Sequence, residues 1–482
     1  MRLINLIDNS GQLLNIILKS PNSADRTAEY FFRSKRKIIG SKERKFISQI
    51  VFASIRNLFL IENVCRSLEL YRHLNYPNLF IKGKKYSIMV LVQILLAEYF
   101  HSDFDFIVLD DIKYVEKEKT LSVVESILVD LFAISKIDND TDNIIYYVDK
   151  ELSKNIITYY SEINKKYSED NLYDLLENIY SFPKEFIHNL LTNSDFIDNS
   201  NVLDFAKSMN RPANTCIRVN TSITNVKEVV DILKEQNIES YSGKTSPSCI
   251  IISERKQLTS LDIYKQGYFT IQDEASQLVG YCIDPNSKDT ILDACAGAGG
   301  KSLHLADLQN DSGTIIATDI KNTKLKEINK RAALGNFNSI ISINNKKIIT
   351  NNKKFDIVLV DAPCSGSGTI RRDPMKKYTI SSKTINKIAN KQLEILTNYS
   401  KYVTYGGVLV YSTCSIFQQE NEHIIELFLK ENTDFLPESI FIPLKKYEIN
   451  ISTIKENAHC VTLFPSIHNT DGFFIARMRR NG

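Results

Sequence analysis

Two segments in the last third of the chain have the pattern of buried parallel strands that end near a cysteine. Residues 357–360 form an uninterrupted apolar run, and Asp361 and Cys364 follow it at once. Residues 407–412 form a second run of this kind, which leads through Thr413 into Cys414. Apolar, mostly β-branched runs predict strands covered on both faces, and open α/β sheets bind ligands beyond the carboxyl ends of such strands. The pattern therefore predicts a sheet edge at which a carboxylate and two thiols can face one pocket.

The size and composition of the chain indicate a globular protein of several domains. Its 482 residues exceed one typical core, and about 150 residues per domain predicts roughly three domains. With 43% hydrophobic and 24% charged residues, the chain does not have the composition of a disordered protein. The net charge of +3 is too small to indicate nucleic-acid binding by itself, so that hypothesis depends on where the charges lie.

The eight cysteines are scattered and include no C-x-x-C pair of the zinc or redox type, so we expect reduced thiols and no metal site. No window approaches about 18 uninterrupted apolar residues, and the N-terminus has no apolar core followed by a cleavage site. Neither secretion nor a membrane span is predicted, and the expected location is the cytoplasm.

Composition and periodicity divide the chain into four predicted parts. Residues 1 to about 180 contain few Gly and Pro, and their apolar residues recur at helical spacing. Residues 1–150 are predicted to form an all-helical bundle, and residues 151–210 a helical connector. Residues 211–262 predict a small β-α-β subdomain, which can bind single-stranded RNA or be purely structural. Residues 263–482 alternate strands and helices and predict a Rossmann-like α/β domain.

A basic segment lies within the predicted helical bundle. A solvated face of two helices and a patch that contacts phosphates are equally compatible with its charge pattern. Its seven cations are Arg33, Lys35, Arg36, Lys37, Lys42, Arg44 and Lys45, against the single acid Glu43.

A glycine-rich loop, residues 294–301, follows the strand predicted at residues 290–293. Glycines allow the backbone to approach a ligand closely, and the helix that follows directs its first N–H groups at that ligand. Asp319 ends the next predicted strand, where a carboxylate suits the two ribose hydroxyls of an adenosine ligand. A dinucleotide is an alternative. However, the order Gly-x-Gly-Gly-Lys differs from the dinucleotide fingerprint, so S-adenosylmethionine fits better.

Three segments resemble successive motifs of the RNA cytosine-5 methyltransferases of the Nol1/Nop2/Sun family. They are residues 293–301 in the glycine loop, residues 361–366 around Cys364 and residues 411–415 around Cys414. The similarity is specific and extends over residues 211–480, because further ordered matches lie at residues 217–220, 267–269, 272–276, 371–374, 420–422 and 471–474.

The N-terminal half more weakly resembles the NusB-like RNA-binding domain found on the bacterial 16S ribosomal RNA members of the family, the RsmB type. The best point of contact is residues 40–47. This resemblance implies a helical domain that binds RNA, joined to a methyltransferase domain.

The family resemblance implies covalent catalysis of methyl transfer to carbon 5 of a cytosine in RNA. Carbon 5 is a poor nucleophile until a thiolate adds to carbon 6, and a cysteine with a depressed pKa does this well. The resemblance assigns this attack to Cys414, and it assigns the release step, in which the proton leaves carbon 5, to Cys364. Asp361 is expected to contact the base or the ligand near the transferred methyl, and Lys301 to orient groups in the pocket. In a helical stem the base would first leave its stack.

Two positions depart from the family pattern. Gly297 and Ala298 stand where the family has Ala-Pro, which predicts a looser loop. The acidic residue expected after the third strand is missing, and Asn344 or Asn345 can accept a hydrogen bond from the adenine amino group instead. The residues predicted to bind the cofactor are Cys295, Ala296, Gly297, Ala298, Gly299, Gly300, Lys301, Asp319, Asn344 and Asp361.

The sequence thus predicts a monomeric enzyme that uses S-adenosylmethionine to methylate a cytosine of RNA, with 16S ribosomal RNA as the expected substrate. Arg371 and Arg372, close to Cys364 in the chain, favour a phosphate contact over a solvated loop. Two alternatives stay open: the same chemistry on transfer RNA, and an RNA-binding ribosome-assembly factor that keeps the fold without catalysis.

Overall fold

The computed structural model describes residues 3–67, 84–99, 158–159, 162, 172–192, 197–253, 256–345 and 353–481. Much of the bundle predicted for residues 1–150, and the start of the predicted connector, lies outside these residues. Within the described ranges, no helix is long and apolar enough to cross a membrane. The chain divides into two compact units: Met1–His188, Asp198–Pro212 and Ile370–Thr379 form the first, and Asn189–Ile197, Ala213–Thr369 and Ile380–Gly482 form the second.

The described N-terminal region is helical, as its spacing predicts. Ile47, Val51 and Ile55 recur every four residues on one helix and are fully buried in the core of the first unit, and the second half of this helix is buried on all sides. The helices up to residue 210 are α1 (Leu3–Lys19), α2 (Ala24–Ser34), α3 (Ser41–Arg56), α4 (Leu58–Ser67), α5 (Lys84–Tyr99), α6 (Leu172–Asn178), α7 (Lys184–Leu191) and α8 (Val202–Asn210).

The segment Ile370–Thr379 belongs to the first unit, although it lies in the chain between the two cysteine motifs. The guanidinium of Arg371, which is 4% exposed, donates to the carbonyl of Pro212 at 2.9 Å. Lys377 is fully buried and donates to the carbonyl of Arg56 at 2.7 Å. Because Arg371 is buried against a main-chain carbonyl, the phosphate contact predicted for this residue is wrong, and its charge anchors the segment instead.

The second unit contains a small antiparallel sheet of strands β1 (Thr215–Val219), β2 (Ser240–Ser242), β3 (Cys249–Ile252) and β4 (Phe269–Ile271), in the order β2-β3-β1-β4. Its helix α9 (Val226–Glu235) buries Val229 and Leu233 against the sheet. The predicted strand, helix and strand are present. The fourth strand, β4, lies beyond the predicted boundary at residue 262. It pairs with β1, whose Ile217 and Val219 are fully buried with a partner strand on each side.

The larger sheet has the order β10-β12-β9-β8-β5-β6-β7, with β11 paired to β12, which confirms the predicted Rossmann-like α/β class. Its parallel strands are β5 (Thr290–Asp293), β6 (Thr314–Asp319), β7 (Ile340–Asn344), β8 (Phe355–Asp361) and β9 (Val403–Thr413). Antiparallel strands extend one edge, namely β10 (Phe435–Pro437), β11 (Cys460–Leu463) and β12 (Phe473–Arg480).

Helices connect these strands, and short 3-10 turns lie at Leu258–Ser260, Ser367–Thr369 and Gln418–Glu420. The helices are α10 (Asp262–Lys265), α11 (Glu274–Ile283), α12 (Gly300–Leu308), α13 (Asn322–Leu334), α14 (Ser382–Ser400), α15 (Glu422–Glu431), α16 (Phe441–Lys446) and α17 (Pro465–His468), and a further short helix, Lys376–Thr379, lies in the first unit.

Strand β8 is covered on both faces, as its apolar run predicts. Ile357 and Leu359 belong to one core cluster, whereas Val358 and Val360 belong to another. The chain adds β6 and β7 on one side of β5 and then returns to place β8 and β9 on the other side. Sheets of this class bind ligands beyond the carboxyl ends of the strands at such a reversal, which here lies between β5 and β8.

Candidate active site

The two cysteines predicted to face one pocket are in contact. Cys364 follows β8, Cys414 follows β9, and their sulfur atoms lie 3.2 Å apart. The strands are parallel neighbours with Asp361 opposite Ser412, so both cysteines leave the sheet at the same edge. The hydrogen bond with Cys414, together with burial, raises the pKa of Cys364 well above that of an ordinary thiol. Either sulfur can donate the hydrogen bond that joins this pair.

A carboxylate and an ammonium group meet beside these cysteines. Asp361 ends β8, and its Oδ2 accepts a hydrogen bond from Lys301 Nζ at 2.8 Å. Its Oδ1 accepts from the hydroxyl of Ser412 at 2.9 Å. The Lys301 ammonium also lies 4.9 Å from the centre of the Phe473 ring. The structure thus brings Asp361 and Lys301 together as one ion pair and adds Ser412, which the sequence did not single out.

The glycine loop takes left-handed backbone where the chain turns toward helix α12. Gly297 has φ +54° and Gly299 has φ +81°, which L side chains rarely adopt. A Cβ on Gly297 would have no atom within 4 Å, so its backbone faces open space. Gly300 begins the nine-residue helix α12, and Lys301 follows in its first turn. The first N–H groups of this helix are therefore available to a ligand carboxylate.

Hydrogen bonds to main-chain carbonyls hold the remainder of the loop. Ala296 N–H donates to the carbonyl of Thr318 at 2.8 Å, and Arg331 donates to the carbonyl of Ala298 at 2.8 Å. Burial, and then the nearby carboxylates of Asp293, Asp361 and Asp319, raise the pKa of the Cys295 thiol. That environment favours a neutral, packed Cys295 over a reactive thiolate.

Asp293 ends β5 directly before the glycine loop and was not among the predicted site residues. Its side chain is fully buried, and Oδ2 accepts from the hydroxyl of Ser302 at 2.6 Å. Its other oxygen, Oδ1, has no hydrogen-bond partner among the described residues. Burial raises the pKa of Asp293 to about 7. The signal for Asp293 in the sequence was an acidic residue at the carboxyl end of an apolar strand, the end beyond which such sheets bind ligands.

The two polar groups predicted for the adenosine end lie on neighbouring strands. Asp319 of β6 is opposite Asn344 of β7 in the register of the sheet, and both are half-buried. Asp319 Oδ1 accepts from the N–H of Lys321 at 2.7 Å, and Asn344 Nδ2 donates to Asn322 Oδ1 at 3.0 Å. This use of the amide nitrogen directs the donor of Asn344 toward helix α13. Within the described part of the chain, no group of three or more His, Cys, Asp or Glu residues is placed to hold a metal ion.

Two protein-family descriptions match this chain. Residues 280–479 match the family described as 16S rRNA methyltransferase RsmB/F. Residues 199–259 match the ferredoxin-like domain of RsmF/B-like methyltransferases, and they contain strands β1 to β3 of the small sheet. These two regions are therefore similar to the RsmB/F type of the Nol1/Nop2/Sun family. The resemblance carried by the glycine loop and the two cysteine motifs is thereby confirmed.

Relatives of this chain include ribosomal RNA methyltransferases. The probable ribosomal RNA small subunit methyltransferase B of Bacillus subtilis is 34% identical over 56% of this chain and 61% of its own length. A 28S rRNA (cytosine-C(5))-methyltransferase of Mus musculus is 30% identical over 58% of this chain and 37% of its own length.

A solved structure shares the fold of this chain. The crystal structure of NSun6 from Pyrococcus horikoshii with SFG, an analogue of S-adenosylmethionine, is 21% identical. It covers 64% of this chain and 100% of that chain with a TM-score of 0.54. The matched region spans only about 61% of the Bacillus subtilis relative, and the solved structure shows a shared fold.

Proposed function

We propose that this protein methylates carbon 5 of a cytosine in RNA, with S-adenosylmethionine as the methyl donor and Cys414 as the covalent nucleophile. The observation that carries the proposal is the 3.2 Å contact between the sulfur atoms of Cys414 and Cys364. Two thiols in contact at the ligand edge suit a reaction that requires both an attacking thiolate and a second group for release. The similarity to the Bacillus subtilis enzyme supports small-subunit ribosomal RNA, here 16S rRNA, as the substrate.

The thiol pair supports an order of steps. The thiolate of Cys414 forms a bond to carbon 6, which makes carbon 5 nucleophilic enough to take the methyl group that S-adenosylmethionine supplies. Once its sulfur is bonded to carbon, Cys414 carries no negative charge. Loss of the hydrogen bond and the charge of Cys414 lowers the pKa of Cys364, although burial of this thiol still raises it, and the mechanism requires that Cys364 then passes its proton to solvent.

Release then follows by elimination. The thiolate of Cys364 takes the proton from carbon 5, and the electron pair of that C–H bond re-forms the double bond to carbon 6. The bond between carbon 6 and sulfur breaks, and its electrons return to Cys414 as thiolate. Asp361 and Lys301, held together at 2.8 Å beside this pair, orient the base or the methyl-bearing end of the cofactor.

The residues at the sheet edge fit the cofactor. The open Oδ1 of Asp293 is a buried acceptor suited to the ammonium group of the amino-acid end, and the first turn of α12 suits its carboxylate. Asp319 suits the ribose hydroxyls. Asn344, opposite Asp319 in the register of the sheet, suits the adenine amino group through its carbonyl oxygen.

The helical unit is proposed to be NusB-like and to bind RNA. What supports this is the amphipathic helical packing of its described part and the basic segment between α2 and α3. The predicted boundaries near residues 150, 210 and 262 are carried forward as part of the same proposal, with strand β4 of the small sheet lying beyond the last of them.

Substitution of each cysteine tests the covalent mechanism. We expect Cys414→Ala to abolish methylation and to form no adduct with RNA. We expect Cys364→Ala to complete addition and methyl transfer and then to stall, so that a denaturation-resistant protein–RNA adduct accumulates when S-adenosylmethionine is present. Denaturing gel electrophoresis with labelled RNA measures both results. Full activity without Cys414 would exclude the covalent mechanism, and an adduct from Cys414→Ala alone would exchange the two roles.

Bisulfite mapping of ribosomal and transfer RNA, with and without the protein, identifies the substrate. A protected cytosine that appears only in 16S rRNA supports the proposal. Protection only in transfer RNA would support the first alternative. If RNA binding is retained with no protected cytosine in either RNA, the protein is an assembly factor without catalysis.

A further inference from the structure

A buried carboxylate lies behind the two cysteines and contacts the loops that carry both of them. Glu420 is fully buried in the 3-10 turn that follows Cys414. Its Oε1 accepts from the N–H of Ser365 at 2.7 Å, and its Oε2 accepts from the hydroxyls of Ser365 and Ser415. Ser365 is the residue after Cys364, and Ser415 is the residue after Cys414. One side chain therefore joins the two loops one residue beyond each sulfur.

No cation accounts for the burial of this carboxylate. Among the described residues, no Lys, Arg or His nitrogen forms an ion pair with Glu420, and its fourth donor is the neutral amide of Gln392 at 3.2 Å. An unpaired buried carboxylate costs free energy unless several donors compensate for the lost water. Here the donors come from both cysteine loops and from helix α14, so the stabilisation of the charge depends on all three elements staying together.

Other contacts hold Glu420 itself in place. The hydroxyl of Tyr411 donates to its carbonyl oxygen at 2.7 Å. Asn421, the next residue, accepts from the hydroxyl of Thr413 at 2.6 Å and donates to the carbonyl of Ser415 at 3.0 Å. These contacts fix the turn against the end of β9. Residues 420–422 match the family, but the mechanism above gives them no role. The contacts of Glu420 and Asn421 with the cysteine loops and β9 supply one.

The geometry points to Glu420 as the positioning residue that holds the sulfur atoms of Cys364 and Cys414 in contact, so that Cys364 can act on the carbon-5 proton after Cys414 has attacked. This inference deepens the proposed function and rests on it for the release step. The part of the inference that concerns the contact between the two sulfurs does not depend on the proposed function. The negative charge of Glu420 also contributes to the raised pKa of Cys364, in addition to the larger effect of Cys414.

The contact between the sulfurs can be measured without RNA or cofactor. Dibromobimane becomes fluorescent when two neighbouring thiols each displace one bromide, so its rate of reaction reports how often the two sulfurs are within reach. Glu420→Gln keeps the size of the side chain but replaces one accepting oxygen with an N–H donor. Ser415→Ala removes a single contact to the carboxylate. Glu426→Gln, at an exposed position of helix α15, is the matched control. Cys414→Ser has lost one of the two thiols, so it gives the signal without bridging.

We expect both Glu420→Gln and Ser415→Ala to slow the bridging reaction, while Glu426→Gln reacts like the unsubstituted protein. Bridging at the unsubstituted rate in Glu420→Gln and Ser415→Ala would overturn the inference, whatever the methylation assays show. If Glu420→Gln fails to fold, Ser415→Ala decides the question by the same measurement.

A second readout separates positioning from general stability. A misplacement of about 1 Å can lower a rate by roughly 100-fold, so we expect a turnover loss of that order in Glu420→Gln. We also expect an RNA adduct to accumulate, since Cys414 still attacks, and we expect the melting temperature and the cofactor affinity to change little. Lost turnover without an adduct, in a variant that bridges normally, would show that Glu420 acts in another way. Failure of Cys364→Ala to form an adduct would instead count against the proposed methylation mechanism.

Discussion

Two buried carboxylates, Asp293 before helix α12 and Asp307 in its last turn, differ in how many of their oxygens accept hydrogen bonds from the protein. Asp307, in the last turn of α12, accepts from the guanidinium of Arg218 at 2.7 Å and from main-chain and hydroxyl groups of Thr221 and Ser222. Asp293, before the glycine loop, has one oxygen bonded to Ser302 and one without a partner among the described residues. Protein groups use both oxygens of Asp307 to fasten the small sheet to α12, whereas Oδ1 of Asp293 is buried without a hydrogen-bond partner among the described residues.

The largest expected effect is on stability, at Asp307. Replacement by Asn leaves the fully buried Arg218 charge without its counter-ion, and removal of one partner of a buried pair typically costs about 3 to 5 kcal/mol. We expect urea denaturation of Asp307→Asn to show a loss of this order, with unchanged cofactor affinity in the protein that remains folded. A loss below about 1 kcal/mol, the level of an exposed ion pair, would mean that Asp307 is not structural.

The next effect is on cofactor binding, at Asp293. Asp293→Asn replaces the open oxygen with an amide, which removes a charged acceptor worth about 1.5 to 3 kcal/mol, or roughly 10- to 150-fold in affinity. Calorimetry with S-adenosylmethionine measures this. Asp319→Ala should also weaken cofactor binding, at the lower end of that range because Asp319 is half-buried. Unchanged affinity in Asp293→Asn would remove the contrast with Asp307.

The pH dependence of stability sharpens the same contrast. The pKa of Asp293 in the folded protein, about 7, lies above its unfolded value, so the native state binds the extra proton between about pH 4 and pH 7. The native state therefore loses stability from this group as the pH rises through that window. We expect Asp293→Asn to be more stable than the unsubstituted protein at pH 8 and not at pH 4. Chemical denaturation at the two pH values checks this, and an equal difference at both would contradict it.

The smallest effect concerns the basic segment, where the same distinction applies to cations. Lys35 donates to Asn9 Oδ1 at 2.6 Å and to Gln12 Oε1 at 2.7 Å, whereas Arg36 and Lys37 are exposed. If the exposed pair contacts phosphates, the double variant Arg36→Gln and Lys37→Gln should reduce the salt slope of RNA binding by about 0.7 to 0.9 per contact. Lys35→Gln, the control, should lower stability and leave the slope unchanged. An unchanged slope in the double variant would favour the solvated face.

Local patterns in the sequence were sufficient for the elements that hold the site. The apolar runs predicted the strands that lead to Asp361 and Cys414, and the glycines predicted the turn into α12. An apolar run and a left-handed turn are both encoded by neighbouring residues. The burial of Arg371 was not predictable in this way. Two adjacent arginines near a motif have the same pattern whether they face solvent or pack against Pro212, which is 159 residues away in the chain.

The sequence by itself determined the family resemblance, the Rossmann-like class and which cysteines end strands, since each of these depends on residues close together in the chain. Only the tertiary structure decided that the two sulfurs touch, that Glu420 joins their loops and that Asp293 keeps an open oxygen while Asp307 does not. These outcomes depend on the register of β8 with β9 and on donors that arrive from distant segments, such as Arg218 at Asp307. Spacing along the chain does not specify which buried polar groups will meet, because that pairing is set when the whole sheet packs.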